Sequence, residues 1–196
     1  MKCIKFLTEF VKNPQNIGAI TPSSERLAVK MVETINFEEA KYIVELGPGT
    51  GPFTKEVMKR KKKQTLLILI ESNEVFVKEL QKQFHGDKSV VIIHGLAENI
   101  KKYMGKLHIE KVDYVLSGLP FTSLSKKVSS CIIKNVKDSI QENGQFIIFQ
   151  YSLAKKSCIQ TFFPNILIKR VWLNIPPAYV FLCKKERRFT VINGGI

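Results

Sequence analysis

Apolar residues fall into two alternating patterns along the chain. Short, nearly continuous β-branched runs occur at 41–46 (KYIVEL), 65–71 (TLLILIE), 89–95 (SVVIIHG), 112–118 (VDYVLSG) and 144–151 (GQFIIFQY), the character of strands buried on both faces. Between them lie longer stretches with apolar positions three and four apart, such as 74–84 and 125–140, the spacing of helices with one buried stripe. This alternation predicts a parallel α/β sheet with helices on both faces. After Phe163 the pattern changes: NILIKRVWLN and AYVFLCKK are strand-like runs separated only by Ile175-Pro176-Pro177. A parallel return needs a crossover of roughly a dozen residues, so the sheet is expected to end in an antiparallel hairpin.

At 196 residues and 44% hydrophobic, the chain can bury one full core, and a single domain is expected. Within it, residues 1–40 read as a helical lid or interface segment ahead of a core at 41–196. Lys and Arg total 31 against 17 acidic residues, a formal charge of +14, which favours a polyanionic partner, RNA or an anionic membrane. Only five of these are arginines, Arg26, Arg60, Arg170, Arg187 and Arg188. That is few for bidentate reading of bases and leans toward a membrane. Cys3, Cys131, Cys158 and Cys183 lack C-x-x-C spacing and read as buried, reduced thiols. No apolar run has the length of a membrane span, and the N-terminus shows no cleavable leader, so a cytoplasmic location is expected. His85, His94 and His108 lie apart from the chemical motifs without the spacing of a metal site.

The strongest chemical signal is VELGPGTGPFT at 44–54. It closes the first predicted strand and opens a helix, where Gly47, Gly49 and Gly51 let backbone approach a ligand and the helix N-terminus presents free N–H groups. Pro52 occupies the last glycine position of the dinucleotide fingerprint G-x-G-x-x-G, so that fingerprint fails. Glu71 ends the second strand, placed to accept hydrogen bonds from both hydroxyls of a ribose.

These residues resemble motif I of the class I S-adenosylmethionine methyltransferases, and the strand pattern resembles their Rossmann-like seven-stranded sheet. The resemblance implies S-adenosylmethionine as cofactor. Glu45, Gly47, Gly49, Thr50 and Gly51 would border its methionine end, Glu71 and Ser72 its ribose, and the backbone of Leu96 and Ala97 its adenine, with Glu98 as the alternative. Leu96 stands where the family usually carries an acid.

LSGLPF at 116–121 decides the acceptor. In rRNA adenine dimethylases this loop carries an Asn that holds the adenine amino group, and here Gly118 takes its place. NIPPAY at 174–179 looks similar but lies between the last two strands, so Asn174 is either a polar wall of the pocket or part of a proline turn. GAITPSS, SGLPF and NIPPA together resemble the soluble bacterial phospholipid N-methyltransferases, which methylate phosphatidylethanolamine. That resemblance implies Thr21, Pro22, Ser23 and Ser24 as a lid near the cofactor carboxylate. Ser23 or Ser24 equally suits the N-cap of a helix beginning near Glu25. It also implies an acceptor site of Ser117, Gly118, Leu119, Pro120, Phe121 and Tyr151. The carbonyls of Ser117 and Gly118, the Phe121 ring and the Tyr151 hydroxyl would orient the nitrogen. RNA is the alternative substrate, and a non-catalytic cofactor- or RNA-binding protein a third reading.

Two segments bear on the membrane. MKCIKFLTEFVK places Cys3, Ile4, Leu7, Phe10 and Val11 on one helical face, suited either to a lipid interface or to packing on the domain. The run KRKKK at 59–63 would either add attraction to an anionic leaflet or form a solvated loop.

Overall fold

The computed structural model describes residues 22–171 and 178–185. In chain order the elements are α1 (Pro22–Val32), β1 (Tyr42–Leu46), α2 (Pro52–Arg60), β2 (Leu66–Glu71), α3 (Glu74–Gln83), β3 (Val90–His94), α4 (Ile100–Lys106), β4 (Val112–Ser117), α5 (Lys126–Ser139), β5 (Ile140–Gln150), α6 (Lys156–Gln160), β6 (Asn165–Val171) and β7 (Ala178–Lys184). A short 3-10 turn, Ala97–Asn99, leads into α4. The seven strands form one sheet of order β3-β2-β1-β4-β5-β7-β6. The first five strands are parallel, while β7 runs antiparallel to both β5 and β6. This is the Rossmann-like methyltransferase sheet expected from the sequence, with its C-terminal hairpin.

Successive strand residues point to opposite faces, and both faces are covered. Val44, Leu46, Ile68, Ile70, Val115, Phe146 and Ile148 pack with the buried stripe of α5, including Ile132, Ile133 and Val136. Ile43, Leu67, Leu69, Leu116 and Ile147 pack with Leu27, Met31 and Val32 of α1 and with Phe53 and Val57 of α2. At roughly 1.5–3 kcal/mol for each large apolar side chain buried, these two layers supply the main stabilisation of the sheet. Asn73 caps α3 by accepting from the Val75 amide at 2.9 Å, and Ser125 caps α5 from Val128 at 3.3 Å. Helix α5 passes into β5 with no intervening loop. Ile140 leaves helical geometry and pairs with Val112, so the strand begins four residues earlier than the run at 144 suggests.

Burial of the cysteines holds for Cys183, whereas Cys158 is half-buried and Cys131 exposed on the outer side of α5.

The parallel strand order reverses between β1 and β4. Loops leaving the carboxyl ends of two such strands diverge and open a crevice between them. The chain after β1 is the glycine loop, and the chain after β4 is the SGLPF loop. The end of β6 and the start of β7 lie at the same edge, because Val171 pairs with Ala178, and Tyr179 lies level with Gln150.

Candidate active site

Three glycines shape the first wall of the crevice. Gly47, Gly49 and Gly51 have φ of 67°, 56° and 76°, a region that costs other residues dearly. Gly47 donates to the Ile70 carbonyl at 2.9 Å, Gly51 donates to Pro48 at 2.9 Å, and the Gly51 carbonyl accepts the first helical bond of α2 from Lys55. A side chain added at Gly49 would meet nothing within 4 Å, so open space lies over the middle of the loop.

Two buried carboxylates face this loop. Glu71, 6% exposed, accepts from the Gly49 amide at 3.1 Å and from the Ser72 and Asn73 amides, each at 2.8 Å. A carboxylate has about four acceptor positions, so one remains for a ligand. Glu45 is fully buried. Its Oε2 accepts from the Thr54 hydroxyl at 2.7 Å, while Oε1 has no partner. Burial raises its pKa to about 7; the Thr54 bond pulls the other way, and the nearby Glu71 charge adds to the rise. A buried carboxylate oxygen without a donor is costly, and a cation entering the crevice would relieve it.

The second wall belongs to the SGLPF loop. The Gly118 amide donates to Leu46 at 3.0 Å, and a Cβ at Gly118 would stand 2.7 Å from the Gly47 carbonyl oxygen and 3.7 Å from Phe53 Cε2. The two loops therefore lie close at Gly118, where an added side chain would run into the backbone of the other loop. The Leu119 amide donates to Ser117 Oγ at 3.2 Å, and the Leu119 carbonyl accepts from Gln150 Nε2 at 3.1 Å. A small cleft of about 20 Å³ opens beside this contact, lined by Gly118, Leu119, Pro120, Thr122, Phe149, Gln150 and Tyr151. Phe149 packs edge-on against Phe53 (centroids 5.5 Å) and Tyr151 (5.4 Å).

Residues 22–161 match the family model of the ribosomal RNA adenine dimethylases. The chain belongs to the ribosomal RNA adenine dimethylase family. It is an S-adenosylmethionine-dependent methyltransferase. Among curated proteins it is similar to the ornithine lipid N-methyltransferase of Singulisphaera acidiphila, 29% identical over 91% of this chain and 94% of that one. It is also similar to ribosomal RNA small subunit methyltransferase A of Borreliella burgdorferi, 30% identical over 57% of this chain but only 37% of that one. Among solved structures it resembles RsmC, a T. thermophilus 16S rRNA methyltransferase solved with AdoMet and guanosine (TM-score 0.63, 17% identical, 86% of this chain, 44% of that chain). An rRNA methylase of Streptococcus thermophilus is similar over 86% of this chain and 100% of that chain (TM-score 0.61, 15% identical). At these identities the solved structures speak for the fold alone.

For this family member the residues present fit S-adenosylmethionine: there is open space over Gly49, Glu71 bonded to that loop keeps a spare acceptor position, and Glu45 keeps a buried oxygen without a partner. Thr50 and Ser72 are exposed at its rim. Leu96, 53% exposed, begins the 3-10 turn beyond β3, with Ala97 buried behind it. The Glu98 carbonyl is engaged by Asn135 Nδ2 at 2.7 Å. Val75, 60% exposed in the first turn of α3, leaves the same edge as Leu96 because Glu71 and His94 are register partners. It carried no signal in the sequence beyond following Glu71 closely.

Several expectations are revised. Phe121 is fully buried and packs against Phe146 (centroids 6.4 Å), so its ring faces the core and the aromatic at the cleft is Phe149. Period two from Tyr151 would have placed Phe149 on the same strand face. Gln150, which fixes the Leu119 carbonyl, was not anticipated. His94 does not lie apart from the motifs: its Nε2 is 3.1 Å from the Ser72 carbonyl. The KRKKK run ends α2 at the opposite edge of the sheet. There Lys59 and Arg60 pair with Glu56, Lys62 pairs with Glu38, and Lys61 bonds to Thr65 and Ser89. A surface cavity of about 410 Å³ lies among these lysines with Met58, Asp87 and Ser89, at the edge of the sheet opposite the crevice. No group of three potential metal ligands occurs among the described residues, and no helix among them is long and apolar enough to cross a membrane. Thr21, Asn174 and the stripe at 3–11 lie outside the described residues. Ser23 and Ser24 fall in the first turn of α1.

Proposed function

We propose that this protein methylates a primary aliphatic amine in a lipid headgroup, such as that of phosphatidylethanolamine. The observation that carries the reading is the absence of room at Gly118: the adenine-holding Asn of the dimethylase loop has no place beside the Gly47 carbonyl. An adenine amino group shares its lone pair with the ring and benefits from an oriented acceptor. An alkyl amine has a localised lone pair once it loses its proton. The similarity to an ornithine lipid N-methyltransferase over nearly the whole of both chains supports the same class of acceptor. The family match and the shorter similarity to an rRNA methyltransferase support adenine in RNA as the second reading.

When bound, S-adenosylmethionine supplies a methyl group on a cationic sulfur. Glu71 and the glycine loop hold the cofactor, and Glu45 places a buried carboxylate near the loop. The acceptor cleft is walled by Leu119, Pro120 and Phe149. With an amine bound, these apolar walls would limit water beside it and favour its neutral, reactive form, since desolvation disfavours its ammonium. The Gly118 backbone and the Tyr151 hydroxyl would orient the nitrogen, with Gln150 keeping the loop carbonyl fixed. Phe149 and Tyr151 offer ring faces to the cationic product.

The test compares acceptors. Labelled methyl groups should pass to phosphatidylethanolamine or to ornithine lipid in mixed vesicles, the two arms separating the headgroups, and not to undermethylated small ribosomal subunits. Transfer to adenine with none to either lipid would refute the reading.

A further inference from the structure

The sheet has two basic poles of different character. At the far pole the KRKKK lysines and arginine are largely absorbed by Glu38, Glu56 and backbone carbonyls. At the crevice, Lys126 and Lys127 open α5 on one rim of the acceptor cleft. Lys155 and Lys156 precede and open α6 on the other. Among the described residues none of these four lysines is in an ion pair. In sequence, residues 114–137 and 143–185, within which all four lysines fall, contain no Asp or Glu. The Lys155 ammonium donates to the Leu124 carbonyl at 3.1 Å, joining the two rims into one surface.

Stability does not explain the lysines at α5. Its first turn has no acidic residue, although the helix dipole favours anions there and opposes cations. Between the two lysine pairs Leu153 stands 44% exposed, next to Tyr151 at the mouth of the cleft. An exposed apolar side chain close in the chain to lysines without ion pairs, beside a substrate opening, matches an interface with hydrocarbon below and negative charge at its surface.

We infer that this rim, and not the KRKKK run, is the surface that docks on an anionic lipid bilayer, with Leu153 entering the interface and Lys126, Lys127 and Lys156 meeting headgroup phosphates. The inference rests on the lipid reading of the acceptor site. It adds an orientation: the crevice faces the bilayer, and a headgroup amine reaches Phe149 and Tyr151 without its lipid leaving the membrane.

The experiment uses two full-length variants with equal change of charge at opposite poles, Lys126→Glu/Lys127→Glu/Lys156→Glu and Lys63→Glu/Lys82→Glu/Lys88→Glu. Each is sedimented with phosphatidylglycerol–phosphatidylethanolamine vesicles and with phosphatidylcholine vesicles. Acids in the first turn of α5 suit the helix dipole, and melting curves verify folding. With each lysine near an anionic surface worth about a factor of five, the rim variant should lose roughly 100-fold or more in partitioning to anionic vesicles. The far-pole variant should stay near wild type, and neither should bind phosphatidylcholine. Leu153→Asp should weaken vesicle binding at high salt, where exposed charges are screened. Equal losses from both poles, undiminished binding by the rim variant, or wild-type binding to RNA but to no vesicle would overturn the inference. Methylation of phosphatidylethanolamine in detergent micelles separates it from the functional reading. A rim variant that still methylates micellar lipid but not vesicles supports docking. A wild type inactive on lipid in both forms yet bound through the rim refutes the acceptor and leaves the docking surface standing.

Discussion

Gly118→Ala is the smallest perturbation that tests how the two loops of the crevice are joined. The added methyl would lie 2.7 Å from the Gly47 carbonyl oxygen, well inside ordinary contact, and the obstacle is backbone that cannot swing aside as a side-chain end would. Gly118 does not have a positive φ, so the cost is contact alone and not backbone strain. Overpacking of this kind costs about 1–3 kcal/mol, which for a domain of this size lowers Tm by roughly 2–12 °C. Relief requires Gly47 to retreat, and Gly47 belongs to the cofactor loop. Affinity for S-adenosylmethionine should therefore fall together with stability. Gly118→Asn should do the same more severely, lose methyl transfer to lipid, and gain no transfer to adenine. Thermal melts with and without cofactor, paired with calorimetric titration, read both quantities. An alanine variant with unchanged Tm and unchanged affinity would show that the loops are not in contact and that position 118 has room for Asn.

Two further outcomes follow from the buried carboxylates. Glu71→Ala should weaken S-adenosylmethionine binding by roughly 10–100-fold, the worth of one lost charge-assisted hydrogen bond, and should lower Tm because the Gly49, Ser72 and Asn73 amides lose their acceptor; unchanged affinity by calorimetry would remove Glu71 from the site. Glu45, raised by burial to about 7, keeps its proton in the free folded protein where the unfolded chain has released it, from about pH 4.5 upward. Its contribution to stability is full below that point and lost as pH rises through about 7, a change of roughly 3 kcal/mol at about 1.4 kcal/mol per unit. Glu45→Gln should flatten urea-melt stability across this interval, and an unaltered slope would assign the effect to another group.

Much of the architecture was legible because each central strand is apolar on both faces, and such runs read as strands without knowledge of their neighbours. The glycine loop was legible for a similar reason: Gly47, Gly49 and Gly51 answer a backbone requirement that is local in sequence. Phe121 was not, because its inward turn is decided by Phe146 and Phe163, which reach it only through the folded sheet. In sequence Gly118 reads only as a missing Asn, because its tight approach to Gly47 joins residues distant in the chain. The neutralisation of KRKKK was half visible. Glu56 stands three and four residues before Lys59 and Arg60, helical pairing distance, but the Glu38 contact is tertiary.

The place of β7 bears on how the protein is made. It is the last strand in sequence among the described elements, yet it lies between β5 and β6, so β6 joins the sheet only through it. On the ribosome the chain emerges in order, and every loop proposed to frame the cofactor, after β1 through β4, precedes the hairpin. A nascent chain can thus complete its cofactor side while β5 still carries a bare, apolar edge. That edge is open to pairing with another chain until residues 178–184 arrive. Synthesis halted between the two stages would release a species able to hold cofactor but prone to aggregate, with its acceptor side unfinished.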